Sequence, residues 1–181
     1  MALPSTVLDL PSILLPWVPS RPDEPALLTP PGESRRVITW SRLLGAIADV
    51  RDRLRAAGLQ PGDRIALIAP TCPEFMTEFF GAQAAGLVVV AINPLSTTRE
   101  IDYLLEDSGA RMVIAHPARS DAGAASAEAA GVPLHLIEEL AEDGPQVRPV
   151  DGEVTFDATP RDGADLAVLL YTSGTTGRPK G

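Results

Sequence analysis

The sequence predicts an α/β fold with a layered, mostly parallel sheet built from βαβ units. Segments whose apolar residues recur at helical spacing alternate with short apolar runs that are typical of strands buried on both faces. Glycines and capping residues stand at most of the boundaries between these segments. Such alternation favours a parallel sheet with helices packed on its faces. The 181 residues suffice for about one domain with a substantial core.

The first clear helix is predicted over residues 41–57, because apolar residues there recur at spacings of four and three and so share one face. The residues on this face are Leu43, Ile47, Val50, Leu54 and Ala57. Gly58 follows as a residue that can adopt a positive φ and end the helix. A turn at residues 61–63 then leads into a strand predicted over residues 65–69.

The same alternation continues along the chain. Pro73 suits the first position of a second helix, which ends near Gly86. Thr97 and Glu100 form the sequence pattern of a capping box and open a third helix, which Gly109 closes. A further helix is predicted over residues 120–130, and further strands over residues 87–92, 112–115, 134–137 and 166–171.

These elements suggest four segments. Residues 1–37 form an N-terminal lead-in, and residues 38–142 form the βαβ region. Residues 143–163 are rich in proline, glycine and acidic side chains and are predicted to be a linker, with one short strand at residues 154–156. Residues 164–181 form a last strand and the loop that follows it.

Composition excludes several classes of protein. A net charge of −9 argues against electrostatic binding of nucleic acid. The longest apolar run, residues 79–92, is shorter than the roughly 18–20 residues that span a bilayer, so no transmembrane segment is predicted. Cys72 is the single cysteine, which favours a reducing compartment such as the cytoplasm. His116 and His135 have no partner at ligand spacing, so no metal site is predicted.

The chemistry is predicted to lie in the loop after the last strand. Its glycines allow the backbone to approach an anion closely, and its hydroxyl groups and amides are hydrogen-bond donors for phosphate oxygens. Lys180 adds a positive charge that can follow those oxygens. The candidate ligand-binding residues are Thr172, Ser173, Gly174, Thr175, Thr176, Gly177 and Lys180.

Two common nucleotide motifs do not fit this loop. A Walker A loop requires glycine, four residues and then Gly-Lys-Ser/Thr, whereas five residues after Gly174 stands Pro179 and Lys180 is followed by Gly181. No Gly-x-Gly-x-x-Gly follows any predicted strand, which excludes a dinucleotide fingerprint.

Residues 171–181 resemble the phosphate-binding signature of the superfamily of acyl-CoA synthetases, peptide-synthetase adenylation domains and luciferases. That signature is Tyr/Phe-Thr-Ser-Gly-Ser/Thr-Thr-Gly-x-Pro-Lys-Gly, and each position matches. Residues 58–67, 70–80, 86–93 and 104–110 are also similar to segments of this family, so that the resemblance covers roughly residues 38–181. Asn93-Pro94 is closer to the acyl- and aryl-CoA ligases than to peptide-synthetase domains.

The resemblance implies the first part of the large N-terminal domain of an adenylate-forming enzyme. The implied reaction activates a small carboxylic acid with ATP and Mg²⁺ as an acyl-adenylate and transfers the acyl group to the thiol of coenzyme A. The seven loop residues carry over to the family's phosphate-binding role. The family's catalytic residues belong to later segments, so we expect no catalytic residue within the 181 residues and no activity from the chain alone.

Other functions stay open. The chain could belong to a non-catalytic truncated product or pseudoenzyme, or to the adenylation domain of a peptide synthetase. An independent nucleotide-binding module with unrelated chemistry is disfavoured by the specific signature. The sequence does not define the acid, the acceptor thiol or the oligomeric state.

Overall fold

The computed structural model describes residues 13–31, 35–141, 144–172 and 180–181. Its helices are α1 (Trp17–Ser20), α2 (Trp40–Ala56), α3 (Pro73–Ala84), α4 (Thr98–Ser108) and α5 (Ser120–Ala130). Its strands are β1 (Pro25–Leu28), β2 (Val37–Thr39), β3 (Arg64–Ile68), β4 (Val88–Ile92), β5 (Val113–Ala115), β6 (Leu134–Leu136) and β7 (Val168–Leu170). The predicted α/β fold is confirmed.

The main sheet has the strand order β6-β5-β3-β4-β7, and every neighbouring pair in it is parallel. The chain therefore enters at the centre, adds β4 on one side, returns to add β5 and β6 on the other side, and finally places β7 beside β4. Because all five strands point the same way, their carboxyl ends lie along one edge of the sheet.

The sheet is covered on both faces. Ile65, Leu67 and Val89 point to one face, where α2 and α3 pack against each other and against the sheet. Ala66 and Val90, the alternate residues, belong to the cluster of α4 and α5 on the opposite face. This double burial explains why the strands appear in the sequence as nearly continuous apolar runs.

Local capping sets the ends of the helices as predicted. The Thr97 hydroxyl accepts from the backbone amide of Glu100, whose carboxylate accepts from the amide of Thr97 at 2.7 Å, so the capping box is formed. Gly109 ends α4 in the left-handed region with φ of 65°. Ala57, expected on the buried face of α2, is instead exposed, because the helix ends at Ala56.

One element near the N-terminus was not predicted, and one expected strand was wrong. An antiparallel hairpin of β1 and β2 precedes α2, and its short strands lack a clear alternation of apolar and polar residues. Residues 154–156, predicted as a short strand, form none. Phe156 packs instead beside the apolar cluster that contains Leu43, and the guanidinium of Arg51 lies 5.1 Å from the centre of its ring. The boundaries proposed at residues 37, 142 and 163 stay a prediction.

An ion pair ties the start of α3 to two distant segments. The guanidinium of Arg36 donates to both carboxylate oxygens of Glu74, at 2.5 and 3.1 Å, and the Leu140 amide donates to the first of them at 3.2 Å. Burial alone would raise the pKa of Glu74, but hydrogen bonds led by that from Arg36 outweigh it and lower the pKa from 4.5 to about 2. Glu74 therefore stabilises the fold in its ionised form.

This pair predicts an acid-sensitive contribution to stability. A carboxyl whose pKa is lowered by folding stabilises the protein above its unfolded pKa and loses that effect as the pH falls toward its folded pKa. Between pH 5 and pH 2, the free energy of unfolding of the unchanged chain should fall by about 3 kcal/mol more than that of Glu74→Gln, as urea denaturation would measure. Glu24→Gln, which alters an exposed pair with Arg21, serves as the control. Parallel pH profiles for the unchanged chain and Glu74→Gln would contradict the assignment.

Candidate functional site

The loop predicted to bind phosphate leaves the sheet at the edge where the carboxyl ends of the strands lie. It follows β7, which pairs in parallel with β4 through Val168, Leu169 and Leu170. Asn93, at the end of β4, leaves the same edge of the sheet. This is the edge at which open parallel sheets bind their ligands.

The two ends of the loop are joined by the backbone. The Thr172 amide donates to the Lys180 carbonyl, and the Lys180 amide donates to the Thr172 carbonyl, both at 3.1 Å. The reciprocal pair closes a narrow neck and brings Lys180 back to the strand end from which the loop departs. Lys180 and Thr172 are both exposed. Two of the predicted site residues thus lie together, and the other five, Ser173, Gly174, Thr175, Thr176 and Gly177, lie outside the described residues.

Tyr171 fixes the base of this neck. Its hydroxyl donates to the Asp107 Oδ2 atom of α4 at 2.6 Å, and its ring packs against the apolar cluster beneath α4. Burial and the neighbouring Asp107 carboxylate raise the pKa of Tyr171, so the hydroxyl keeps its proton and remains a donor. Gly181 lies on the same ring, since a Cβ atom at this position would come within 2.8 Å of Tyr171 Cζ. Sequence reasoning missed Asp107, which looks like an ordinary solvated helix residue.

Two polar residues outside the loop, Asp63 and Cys72, have surroundings that indicate a structural role. Asp63 accepts from the Gln60 amide and from the Arg111 guanidinium, each at 2.8 Å, and so stabilises the turn before β3. Burial raises the pKa of the Cys72 thiol, which disfavours the reactive thiolate. Within the described parts of the chain, no group of three or more histidine, cysteine, aspartate or glutamate side chains could hold a metal ion.

A second polar cluster lies away from the loop, on the α2–α3 face. Arg53 Nη2 donates to both carboxylate oxygens of Glu78 at 2.8 Å, and Arg53 Nη1 contacts the ring of His135. Burial raises the pKa of Glu78 even though Arg53 lies beside it, and burial followed by the Arg53 charge lowers the pKa of His135. These groups line a cleft of about 580 Å³.

Comparison with known proteins identifies the family. The model of the family described as AMP-binding enzyme matches residues 16–181. The chain belongs to the AMP-binding enzyme family. The match begins upstream of the roughly 38–181 range in which the sequence resemblance is visible, and it includes the β1–β2 hairpin and the whole of the sheet.

Several relatives of the chain are CoA ligases. The chain is 35% identical over 145 residues to a feruloyl-CoA synthase of an Amycolatopsis species, a match that covers 80% of the chain and 27% of the relative. It is 33% identical over 167 residues to the 4-hydroxybenzoate–CoA/benzoate–CoA ligase of Rhodopseudomonas palustris, covering 82% of the chain and 28% of that protein. The chain therefore spans less than a third of the length of these relatives.

Solved structures of such enzymes share the fold. An anthranilate CoA ligase in complex with anthranoyl-AMP superposes with a TM-score of 0.81 at 28% identity, over 99% of this chain and 35% of that structure. ATP-bound MatB from Rhodopseudomonas palustris superposes with a TM-score of 0.71 at 29% identity, over 96% of this chain and 34% of that structure. The chain thus shares the fold of one part of these two structures. No helix in the described ranges is both long and apolar enough to cross a bilayer.

Proposed function

We propose that this AMP-binding family member provides the phosphate-binding segment of an ATP-dependent carboxylic acid:CoA ligase. The observation that carries the proposal is the closed neck between Thr172 and Lys180 at the carboxyl edge of a parallel sheet. The acid would be activated as an acyl-adenylate and its acyl group transferred to the thiol of coenzyme A. Anthranoyl-AMP in one matched structure and ATP in the other support this reaction class.

The loop residues would act by binding and positioning ATP. The Thr172 hydroxyl is a donor, and the Lys180 amine is the only lysine charge in the chain. Ser173, Gly174, Thr175, Thr176 and Gly177 would complete the binding loop with amides and hydroxyls. Donors fixed around the β- and γ-phosphates offset the negative charge that develops as pyrophosphate leaves.

These donors suit a phosphate rather than a bare cation. The described groups at the neck are a hydroxyl, an amine and backbone amides, whereas Mg²⁺ prefers carboxylate and carbonyl oxygens. We therefore assign no residue of this chain to Mg²⁺. The ion would enter with the ATP phosphates, and any protein ligands would come from other segments of a longer enzyme.

The substrate would be a carboxylic acid of aromatic or fatty type, because relatives are named for ferulate, for benzoates and for long-chain fatty acids. We propose that the protein works in the cytoplasm, since its single cysteine suits a reducing compartment. We further propose that the 181 residues alone do not form acyl-adenylates, because they span less than a third of their relatives.

Carboxylate-dependent exchange of pyrophosphate into ATP tests this proposal. Assays would compare the 181-residue chain with the product of its whole reading frame, using ferulate, benzoates and long-chain fatty acids. We expect no exchange from the chain alone and acid-dependent exchange from a longer product, followed by thioester formation when coenzyme A is added. Exchange by the chain alone would overturn the proposed inactivity. Acid-dependent exchange with no thioester formed from coenzyme A would instead favour transfer to a carrier protein, as in a peptide-synthetase adenylation domain or the related fatty acid–acyl-carrier-protein ligase of Streptomyces coeruleorubidus.

A further inference from the structure

We propose that Asp107 is a positioning residue for the phosphate-binding loop, acting through the ring of Tyr171. The inference rests on the proposed function, because it assigns a role within the same site. Asp107 lies 64 residues before Tyr171 in the sequence, on a different element, so the contact joins the loop to the body of the fold.

The first step is the hydrogen bond itself. Tyr171 donates to the Asp107 carboxylate at 2.6 Å, which is the short distance typical of a hydroxyl bonded to a charged acceptor. Tyr103 approaches the other carboxylate oxygen at 3.5 Å, a much weaker geometry. The carboxylate therefore fixes where the Tyr171 hydroxyl, and with it the ring, can lie.

The second step is the contact between this ring and the far end of the loop. A Cβ atom built on Gly181 would lie 2.8 Å from Tyr171 Cζ, 2.9 Å from its Cε1 and 3.1 Å from Leu169 Cδ1. The backbone at residue 181 thus rests directly on the ring and on the end of β7. Because Lys180 precedes Gly181 and pairs with Thr172, the position of the ring sets the position of the neck.

The third step is the place of Asp107 in its helix. It is the last residue but one of α4, where the partial negative charge of the helix end disfavours a carboxylate. Asp107 is also exposed, so packing in the core does not account for an aspartate at this position. Helix stability alone would favour another side chain here, and the hydrogen bond to Tyr171 supplies a reason for the aspartate.

Asp107 has two opposite effects, since its hydrogen bond holds the Tyr171 ring and its charge disfavours the end of α4. Measuring neck opening and global unfolding in the same variants separates a positioning role of Asp107 from a general effect on stability. In Asp107→Ala, we expect the amides of Thr172 and Lys180 to exchange with solvent about tenfold faster, as loss of a charged hydrogen bond predicts. The midpoint of global unfolding should fall by less than the loss of this hydrogen bond alone would cause, because removal of the unfavourable charge at the helix end partly offsets it. Asp107→Asn retains an acceptor and should give an intermediate exchange rate, and Tyr171→Phe combined with Asp107→Ala should exchange no faster than Asp107→Ala alone.

The matched control is Glu106→Ala, which removes an exposed carboxylate from the adjacent position of the same helix. It should leave the exchange of Thr172 and Lys180 unchanged. Titration with MgATP then connects the neck to function: Asp107→Ala should bind MgATP about tenfold more weakly than the unchanged chain, and Glu106→Ala should bind it equally well.

The outcomes distinguish the two proposals. Unchanged amide exchange in Asp107→Ala overturns the role of Asp107, whatever the ATP affinity. Faster exchange with unchanged ATP affinity also overturns it, since the neck would then not position the ligand. A third outcome is that the amides exchange faster in Asp107→Ala but even the unchanged chain binds no MgATP. This result would confirm the hydrogen bond between Asp107 and Tyr171 as an anchor of the neck. It would overturn the phosphate-binding function and with it the role of Asp107 in ligand positioning.

Discussion

Replacement of Arg53 by alanine should lower the free energy of unfolding by about 3 kcal/mol at pH 7.5. Glu78 has a side chain only 5% exposed, and Arg53 is its charge partner, donating to both of its oxygens. Removal of the guanidinium would leave this carboxylate buried without that compensating charge. Arg53 itself is 34% exposed, so the expected cost lies at the lower end of the range for buried ion pairs.

The effect should depend on pH in a defined direction. A carboxyl whose pKa is raised by folding stabilises the protein at low pH and loses that contribution as the pH rises through its folded pKa. Without Arg53 the pKa of Glu78 would rise further, so the cost of Arg53→Ala should shrink as the pH falls from 7.5 to 5.5. Urea denaturation at the two pH values measures this change.

The control for this experiment is Arg148→Ala. Arg148 pairs with Asp23 at 2.8 Å, but both side chains are more than half exposed, so its loss should cost much less stability than the loss of Arg53. Equal costs for Arg53→Ala and Arg148→Ala, or a cost of Arg53→Ala that grows toward acid pH, would contradict a buried Arg53–Glu78 pair.

Replacement of Lys180 by alanine should weaken MgATP binding by about 10- to 100-fold. This range corresponds to the loss of a charge-assisted hydrogen bond to phosphate. Lys180 is exposed, and its described hydrogen bonds to Thr172 use only backbone atoms, so stability should hardly change. Calorimetric titration measures the affinity, and thermal unfolding measures the stability.

Two variants sharpen the interpretation of that loss. Lys180→Arg keeps the positive charge and should retain most of the affinity. Arg148→Ala removes one positive charge elsewhere on the surface and should leave the affinity unchanged, which separates a local contact from the net charge of −9. If Lys180→Ala bound MgATP as well as the unchanged chain, the lysine would have no role in holding phosphate.

Much of the fold follows from local patterns that the sequence displays. The spacing of Leu43, Ile47, Val50 and Leu54 predicted α2, and all four side chains are buried. The capping box at Thr97 and the glycine at 109 set both ends of α4. The strand order was not predicted, because the pairing of β3 with β5 and of β4 with β7 joins residues far apart in the chain.

The β1–β2 hairpin and the course of residues 154–156 were not predicted, because both depend on contacts between separate segments of the chain. The β1–β2 hairpin depends on pairing between two strands of four and three residues, too short to display a period. Phe156 is apolar for a different reason, because it packs against the cluster that contains Leu43 of α2 rather than joining a sheet. A local apolar pattern does not distinguish these two kinds of burial.

The position of the loop after the last strand was predictable, but its contacts with the rest of the fold were not, and its role in binding phosphate stays a prediction. The signature of residues 171–181 placed the loop, and the structure places Thr172 and Lys180 together at the neck. The hydrogen bond between Asp107 and Tyr171 joins residues 64 positions apart, which no local spacing signals. Such contacts are found only once the topology is known.

The central claim is that the loop after β7 holds the phosphates of ATP, and the single lysine of the chain offers its most direct test. Lys180 and the N-terminus are the two amines that an amine-reactive acetylating reagent can modify, and mass spectrometry of the peptides distinguishes their products from any modification elsewhere. ATP and inorganic pyrophosphate should slow the modification of Lys180 about tenfold or more, while adenosine should not and the N-terminus should react equally throughout. Equal modification of Lys180 with and without millimolar ATP and pyrophosphate would contradict the claim.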